Sequence, residues 1–279
     1  MPDLLLGLIG DNIAASSSPR LHRLAGAQNG MEVQYDSLIP PAIGEDFDTI
    51  FARCAREGYR GVNVTYPYKE YVARKVEVSD PLVAAMGAVN TVLFEPGGPT
   101  GWNTDYTGFM AAYRAARGEV GPGKVCLVGT GGVGRALAFA LVALEAAELR
   151  LVDRDTAKAE ALAEELRAAS RGTEVVTGTE VDALAAGATG LVNATPVGMV
   201  GHDGTAIPAR CLPGAEWAFD AVYTPLDTRF LQDAEAAGLS IISGFELFFW
   251  QGVHAWAHFS GKPLDEPALY AALRNKTPA

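Results

Sequence analysis

The chain has 279 residues, with 22 Lys plus Arg against 33 Asp plus Glu, and a formal net charge of −11 at pH 7. That balance excludes a nucleic acid or an anionic membrane surface as partner, because a polyanion is held by a clustered positive field. A hydrophobic fraction of 49% excludes disorder, and at roughly 100 to 200 residues per domain the length predicts two domains.

Residues 4–9 are a short apolar run closed by Gly10 and predict a buried strand. Ser16-Ser17-Ser18-Pro19 predicts a helix start, with Ser18 as the cap and Pro19 as the first helical residue. Strand pattern recurs at 35–39, closed by Pro40-Pro41, and at 61–65, broken by Tyr66-Pro67. Helical pattern covers 47–57, the residues after Pro67, and 81–86. Residues 91–94 read as a strand before the turn Pro96-Gly97-Gly98-Pro99. This alternation predicts a largely parallel α/β sheet.

A helix over 105–116 and the Gly-containing stretch 117–123 mark a domain junction. Beyond it come strand 124–128, a Gly-rich turn, helix 135–145, strand 148–152 and helix 156–169. Further strands are predicted at 174–176, 190–193, 218–222 and 240–243, and helical pattern runs from Phe245 onward. No fixed period is present, which excludes a solenoid. Cys54, Cys126 and Cys211 are far apart and read as free thiols of a reducing compartment. The N-terminus shows no basic region and no cleavage signal, and the apolar runs are shorter than the ~20 residues of a membrane span, so the expectation is a soluble, cytoplasmic protein.

Gly129-Thr130-Gly131-Gly132-Val133-Gly134 matches G-x-G-x-x-G. It follows an apolar strand and opens a helix, and Asp153 ends the next strand about 20 residues further on, which is the context the dinucleotide fingerprint requires. Gly129 permits the tight turn, Gly131 lets a pyrophosphate approach the backbone, Gly134 lets helix and strand pack closely, and the helix N-terminus offers N–H groups to phosphate. A carboxylate at position 153 accepts hydrogen bonds from adenosine ribose hydroxyls and repels a 2′-phosphate, which points to NAD. Arg154 beside it is either an ordinary solvated side chain or a partner for that phosphate, so NADP stays open.

Asn63-Val64-Thr65-Tyr66-Pro67-Tyr68-Lys69 places a hydroxyl and an amine just past a strand end, where open α/β sheets bind ligands. Gly87-Ala88-Val89-Asn90-Thr91 and Gly101-Trp102-Asn103-Thr104-Asp105 add amide, hydroxyl and carboxylate groups. Together with Ser16-x-Ser18-Pro19, the glycine turn, Asn193-Ala194-Thr195-Pro196-Val197-Gly198-Met199, Asp220-Ala221-Val222-Tyr223-Thr224-Pro225 and residues 244–251, these resemble the shikimate dehydrogenase family, including its quinate/shikimate members. The resemblance runs through essentially the whole chain.

The resemblance implies reversible oxidation of the ring hydroxyl of shikimate with hydride passing to a nicotinamide. It implies that Lys69 and Asp105 form the catalytic pair, since alcohol oxidation releases a proton as well as a hydride and needs a positioned acid/base. Ser16 and Ser18 would hold the substrate carboxylate, Thr65, Asn90, Asp105 and Gln251 the ring hydroxyls, and Tyr223 would lie close to the substrate. The cofactor would meet Gly129, Thr130, Gly131, Gly132, Val133, Gly134, Asp153, Arg154, Asn193, Thr195, Pro196, Gly198, Met199, Val222 and Gly244. Taken singly, these residues have plainer uses: Lys69 a solvated lysine, Asp105 a helix cap, Asn90 a turn residue and Gln251 a polar point on a helix. His254 and His258 lie one turn apart without the Glu of H-E-x-x-H or a third ligand, so no metal is expected.

The chain departs from the family pattern in four places. Asp11-Asn12-Ile13 follows Gly10 where Pro-Ile is usual, Arg23 replaces an Asn, Leu247-Phe248 replaces Met-Leu, and Asp153-Arg154-Asp155 stands where NADP-specific members typically carry Asn-Arg-Thr. The expected architecture is an α/β substrate domain of residues 1–105 completed by helices in 244–279, a Rossmann nucleotide domain of 106–243, and an active site in the cleft. The expected activity is that of an NAD-preferring shikimate or quinate/shikimate dehydrogenase, as monomer or homodimer. The alternatives are an NADP-dependent shikimate dehydrogenase of aromatic amino-acid biosynthesis and a non-catalytic nucleotide-binding paralogue.

Overall fold

In the computed structural model, which describes residues 2–170 and 172–275, strands and helices alternate along almost the whole chain. The order begins β1 (Leu4–Ile9), α1 (Ser18–Gln28), β2 (Val33–Leu38), α2 (Pro40–Ile43), α3 (Phe47–Arg56), β3 (Gly61–Val64), α4 (Lys69–Ala73) and α5 (Pro81–Met86). It continues with β4 (Thr91–Glu95), β5 (Gly98–Trp102), α6 (Thr104–Arg117), β6 (Lys124–Val128), α7 (Gly132–Ala143), β7 (Glu148–Val152), α8 (Thr156–Ala169) and β8 (Glu174–Gly178). It ends with α9 (Val181–Ala185), β9 (Gly190–Asn193), β10 (Trp217–Asp220), α10 (Arg229–Ala236), β11 (Ser240–Ile242), α11 (Gly244–Ser260) and α12 (Glu266–Arg274). The chain divides into two units, Met1–Thr104 with Gln251–Ala279, and Asp105–Trp250, so the division falls inside α6 and α11.

The first unit holds one sheet in the order β2-β1-β3-β4-β5. β2, β1 and β3 are parallel, as the alternation predicts, whereas β4 and β5 run antiparallel. The sequence reading misses β5. Glu95 pairs with Gly98, so only Pro96 and Gly97 form the turn, and Pro99 lies within a strand. A two-residue connection can join only antiparallel strands, and Pro is tolerated here because β5 is the last strand of the sheet, its outer side met by a single bridge in which the Pro99 carbonyl accepts the Glu77 N–H at 2.9 Å and Pro99 needs no N–H of its own. α2 is also missed, because Pro40-Pro41 reads as a stop while Pro is compatible with a first helical turn. The start of α1 needs a correction: the cap is Ser17, which makes no side-chain capping bond, and Ser18 is already helical. Ser16 Oγ accepts the Ser18 N–H instead, at 3.2 Å.

The core of this unit joins the start of the chain to its end. His22 is buried, stacked on Tyr35 at 5.1 Å between ring centroids and flanked by Trp256 and Phe259. An added Cβ on Gly252 would press on the Leu21 side chain, so α11 packs against α1 at that glycine and Leu21 would have to shift to accept any other residue. Arg20 Nη2 donates to the carbonyls of Ala272 and Asn275.

The second unit holds a six-stranded sheet in the order β11-β10-β9-β6-β7-β8, parallel throughout. Its central strands β6, β9 and β10 are buried almost throughout, as expected where helices cover both faces of such a sheet. The order reverses between β6 and β9, which is where doubly wound sheets bind ligands. α7 begins three residues before the predicted 135, inside the glycine motif, since Gly132 and Gly134 are helical despite their turn-like reading. Among the described residues no helix is long and apolar enough to cross a membrane.

Candidate active site

In the first unit the register sets Ile9 beside Val64, so the loops leaving β1 and β3 emerge at the same sheet edge. The first loop carries Ser16 and Ser18, half-buried, with their hydroxyl oxygens 3.2 Å apart. The second carries Thr65 and leads into Lys69, the first residue of α4 and also half-buried; the Lys69 carbonyl accepts the Val89 N–H at 3.0 Å. β4 starts at this same edge, with Val64 N–H donating to the Asn90 carbonyl at 2.8 Å.

A buried hydrogen-bonded chain orients that edge. Tyr35 Oη donates to Asn63 Oδ1 at 2.8 Å, and Asn63 Nδ2 donates to Thr91 Oγ1 at 3.1 Å. Asn90 Oδ1 accepts from Thr91 Oγ1 at 3.0 Å and from the Thr104 N–H at 2.7 Å. The first N–H of α6 is therefore taken by Asn90, which fixes the helix start on which Asp105 sits, itself only 8% exposed. With its oxygen used in this way, the amide group of Asn90 is the donor it retains for a ligand. Gln251 is half-buried in α11, beside the close contact of Gly252.

Two departures from the family pattern find partners here. Asp11 accepts from Tyr68 Oη at 2.8 Å while its own N–H donates to the Tyr66 carbonyl at 3.1 Å, tying the first loop to the second. Burial, with the Asp11 carboxylate adding to it, pushes the Tyr68 phenol up to about 12. Arg23 donates to the Tyr35 carbonyl at 3.3 Å. Asp11 is a residue whose positioning role sequence reasoning does not supply, although its appearance in place of proline was the available signal.

In the second unit Val128 and Asn193 are register partners, so the turn after β6 and the loop after β9 leave the sheet together. Gly129 has φ +98°, a conformation that favours glycine, and a Cβ there would lie 3.0 Å from the Ala194 backbone. A Cβ on Gly134 would lie 1.9 Å from the Gly129 carbonyl oxygen, whereas one on Gly131 would meet nothing within 4 Å. The glycines thus divide into two that pack backbone on backbone, Gly129 and Gly134, and two in open space, Gly131 and Gly132, at the start of α7. Gly131 is the helix cap and no side chain closes its N–H groups, so the turn fits a pyrophosphate by shape and by partial charge.

Asp153 ends β7 beside this turn. Burial opposes its charge, but donors from Thr130 and the Asp155 N–H outweigh it and hold the carboxyl below its usual range. Arg154 is exposed next to it. On the other side, Thr195 donates through its N–H and hydroxyl to Asn193 Oδ1, and Asn193 Nδ2 donates to Asp220 Oδ1 at 2.9 Å. Asp220 is fully buried and also accepts from Thr228 Oγ1 at 2.6 Å and the Val222 N–H at 3.0 Å. Burial raises its pKa despite these donors. This network fixes the loop of Pro196, Gly198 and Met199 relative to that of Val222 and Tyr223; Thr228, which anchors it, lies outside the motifs read from sequence. Gly244 lets α11 begin against the Ala221 carbonyl, where a Cβ would approach to 2.5 Å. Tyr223 is 40% exposed and stacks on Phe248 at 5.8 Å. His258 stacks on Trp102 at 4.2 Å, and among the described residues no group of three or more His, Cys, Asp or Glu could hold a metal.

A parallel sheet with its glycine turn at the switch point, beside a carboxylate at the second strand end, defines the class of dinucleotide-binding α/β proteins. Comparison with known proteins gives the family. The family model of the shikimate dehydrogenase substrate binding domain matches residues 8–92. A quinate/shikimate dehydrogenase (NAD(+)) of Corynebacterium efficiens is 37% identical over 277 residues, covering 97% of each chain. A shikimate dehydrogenase (NADP(+)) of Natronomonas pharaonis is 41% identical over 270 residues, covering 96% of this chain and 98% of that one. Among solved structures, a quinate dehydrogenase from Corynebacterium glutamicum in complex with NAD superposes with a TM-score of 0.90 at 34% identity, covering 96% of this chain and 97% of that one. The chain belongs to the shikimate dehydrogenase family.

Proposed function

We propose that the protein is an NAD-preferring shikimate or quinate/shikimate dehydrogenase, oxidising a ring hydroxyl of a small cyclic carboxylate reversibly. The full-length similarity to relatives bearing these names supports the reaction class. The cofactor preference is carried by the Asp153 carboxylate at the end of β7, held in its charged form. When bound, the nicotinamide supplies the hydride acceptor. Every other part of the reaction falls to the protein's own side chains.

In this reading Ser16 and Ser18 donate their hydroxyls to the substrate carboxylate at the start of α1. Thr65, the Asn90 amide, Asp105 and Gln251 bind the ring hydroxyls, and Tyr223 bounds the site. Lys69 Nζ takes the proton from the hydroxyl being oxidised and returns it in the reverse direction, when as an ammonium it also polarises the ketone. Asp105 orients the Lys69 amine and a neighbouring hydroxyl. Unpaired Cys54, Cys126 and Cys211 support a cytoplasmic location.

Steady-state rates with shikimate and with quinate, each with NAD and NADP, test the proposal. Turnover with NAD well above NADP is expected. A strong NADP preference would overturn the argument from Asp153 and favour the biosynthetic NADP-dependent reading, for which the exposed Arg154 is available. Absence of turnover in all four combinations, with dinucleotide still bound, would leave either a nucleotide-binding paralogue without catalysis or a dehydrogenase of another polyhydroxylated carboxylate.

A further inference from the structure

We infer that the Thr130 hydroxyl is a positioning group for NAD selectivity, pinning Asp153 so that its carboxylate can neither turn away from a 2′-phosphate nor lose alignment with the ribose diol. Thr130 occupies the first variable position of G-x-G-x-x-G, which the fingerprint leaves open. Its N–H and its Oγ1 both donate to Asp153 Oδ2, each at 2.7 Å, and the Asp155 N–H donates to Oδ1 at 3.0 Å. Thr130 is only 3% exposed, so its hydroxyl is not engaged by bulk solvent and has a fixed partner.

A carboxylate has about four acceptor sites. Three are filled from within the protein, both on Oδ2 by Thr130, which leaves the capacity of Oδ1 for a ribose hydroxyl. The carboxylate plane is then set by two residues from separate segments, the glycine turn and the start of α8. A 2′-phosphate meeting a carboxylate with such restraint cannot relieve the repulsion by rotating it. Without the hydroxyl the carboxylate is held at Oδ2 by one backbone N–H, can swing aside, and leaves the exposed Arg154 to pair with the phosphate.

The inference rests on the proposed NAD preference, and the test separates the two. Dissociation constants for NAD and NADP are measured by titration calorimetry, without turnover, for the wild type, Thr130→Val, Thr130→Ser and Asp153→Ala. Val keeps the shape of Thr and removes the donor, and thermal unfolding of each variant shows whether the fold is kept. The NAD/NADP affinity ratio is expected to fall about tenfold in Thr130→Val, the size of one charge-assisted hydrogen bond, and to return to within about twofold of wild type in Thr130→Ser. If Asp153→Ala abolishes the preference while Thr130→Val leaves the ratio unchanged, or weakens both cofactors equally, the inference is overturned and the NAD reading stands. If Asp153→Ala leaves the ratio unchanged, the NAD reading fails and takes the inference with it. Should Thr130→Val not fold, Thr130→Ala is measured in its place against the same two outcomes.

Discussion

At the strand ends of the first sheet, the groups proposed to meet substrate are side chains held from behind by other side chains, as Asn63 and Thr91 hold Asn90, and Asn90 holds the start of α6. At the strand ends of the second sheet, the surface is chiefly backbone: a turn at Gly129, an uncapped helix start at Gly131, and a close crossing at Gly134. Phosphate is common to every dinucleotide and is bound well by N–H groups, which any sequence carries once glycine opens the path. A ring with several hydroxyls in a fixed stereochemical pattern needs donors and acceptors at particular points, and those only side chains supply.

The contrast can be broken most sharply at Lys69. Lys69→Ala is expected to reduce turnover by about 10²-fold or more, the usual worth of acid/base catalysis, while the NAD dissociation constant is unchanged. Near-wild-type turnover would remove Lys69 from the proposed mechanism. The second unit should respond to a single methyl instead. Gly134→Ala places a Cβ 1.9 Å from the Gly129 carbonyl oxygen, a backbone atom that cannot step aside cheaply. A destabilisation of about 1–3 kcal/mol is expected in denaturant unfolding. Gly131→Ala, whose Cβ meets nothing within 4 Å, should unfold like wild type and yet bind NAD more weakly. Equal stability losses in the two variants would sink the division of labour among the glycines.

A smaller effect probes the core that backs the first site. Burial pushes His22 down to about 3 from its usual 6.5, so below pH 6.5 the unfolded chain binds a proton that the folded one refuses. Stability contributed by neutral His22 is full above 6.5 and is lost as pH falls towards 3, at up to about 1.4 kcal/mol per pH unit. His22→Phe keeps an aromatic ring in the stack and removes the titration, so its stability should fall less steeply than wild type across that window. Parallel curves from pH 7 to 4 would show that burial at this site is relieved before the proton binds.

Much of the architecture was legible because its signals are local. Apolar runs ending at Gly10 and Val128 gave strands, helical pattern over 47–57 and 156–169 gave α3 and α8, and the glycine turn declares itself by its spacing together with the strand before it, the helix after it and Asp153. β5 was not legible, since two glycines and a proline in five residues oppose a strand reading, and it is pairing with β4 and with Glu77 that forms it. The positions of the motif residues at strand ends could also be anticipated from sequence. Their supports could not: Tyr35 reaches Asn63 across 28 residues, Thr130 reaches Asp153 across 23, and Asp11 reaches Tyr68 across 57. Such pairings depend on sheet order, which no local pattern encodes.

The first unit is interrupted in sequence, and this bears on how the chain is made. A ribosome that has delivered residues up to Trp250 has supplied every strand of the second sheet, but Leu21, His22 and Tyr35 still lack the Gly252, Trp256 and Phe259 that cover them. The strands of the first sheet are complete by Trp102, so what synthesis delays is the cover of this core and not its sheet. Completion of the first core is tied to residues 251–259, which follow the whole of the second sheet in the sequence.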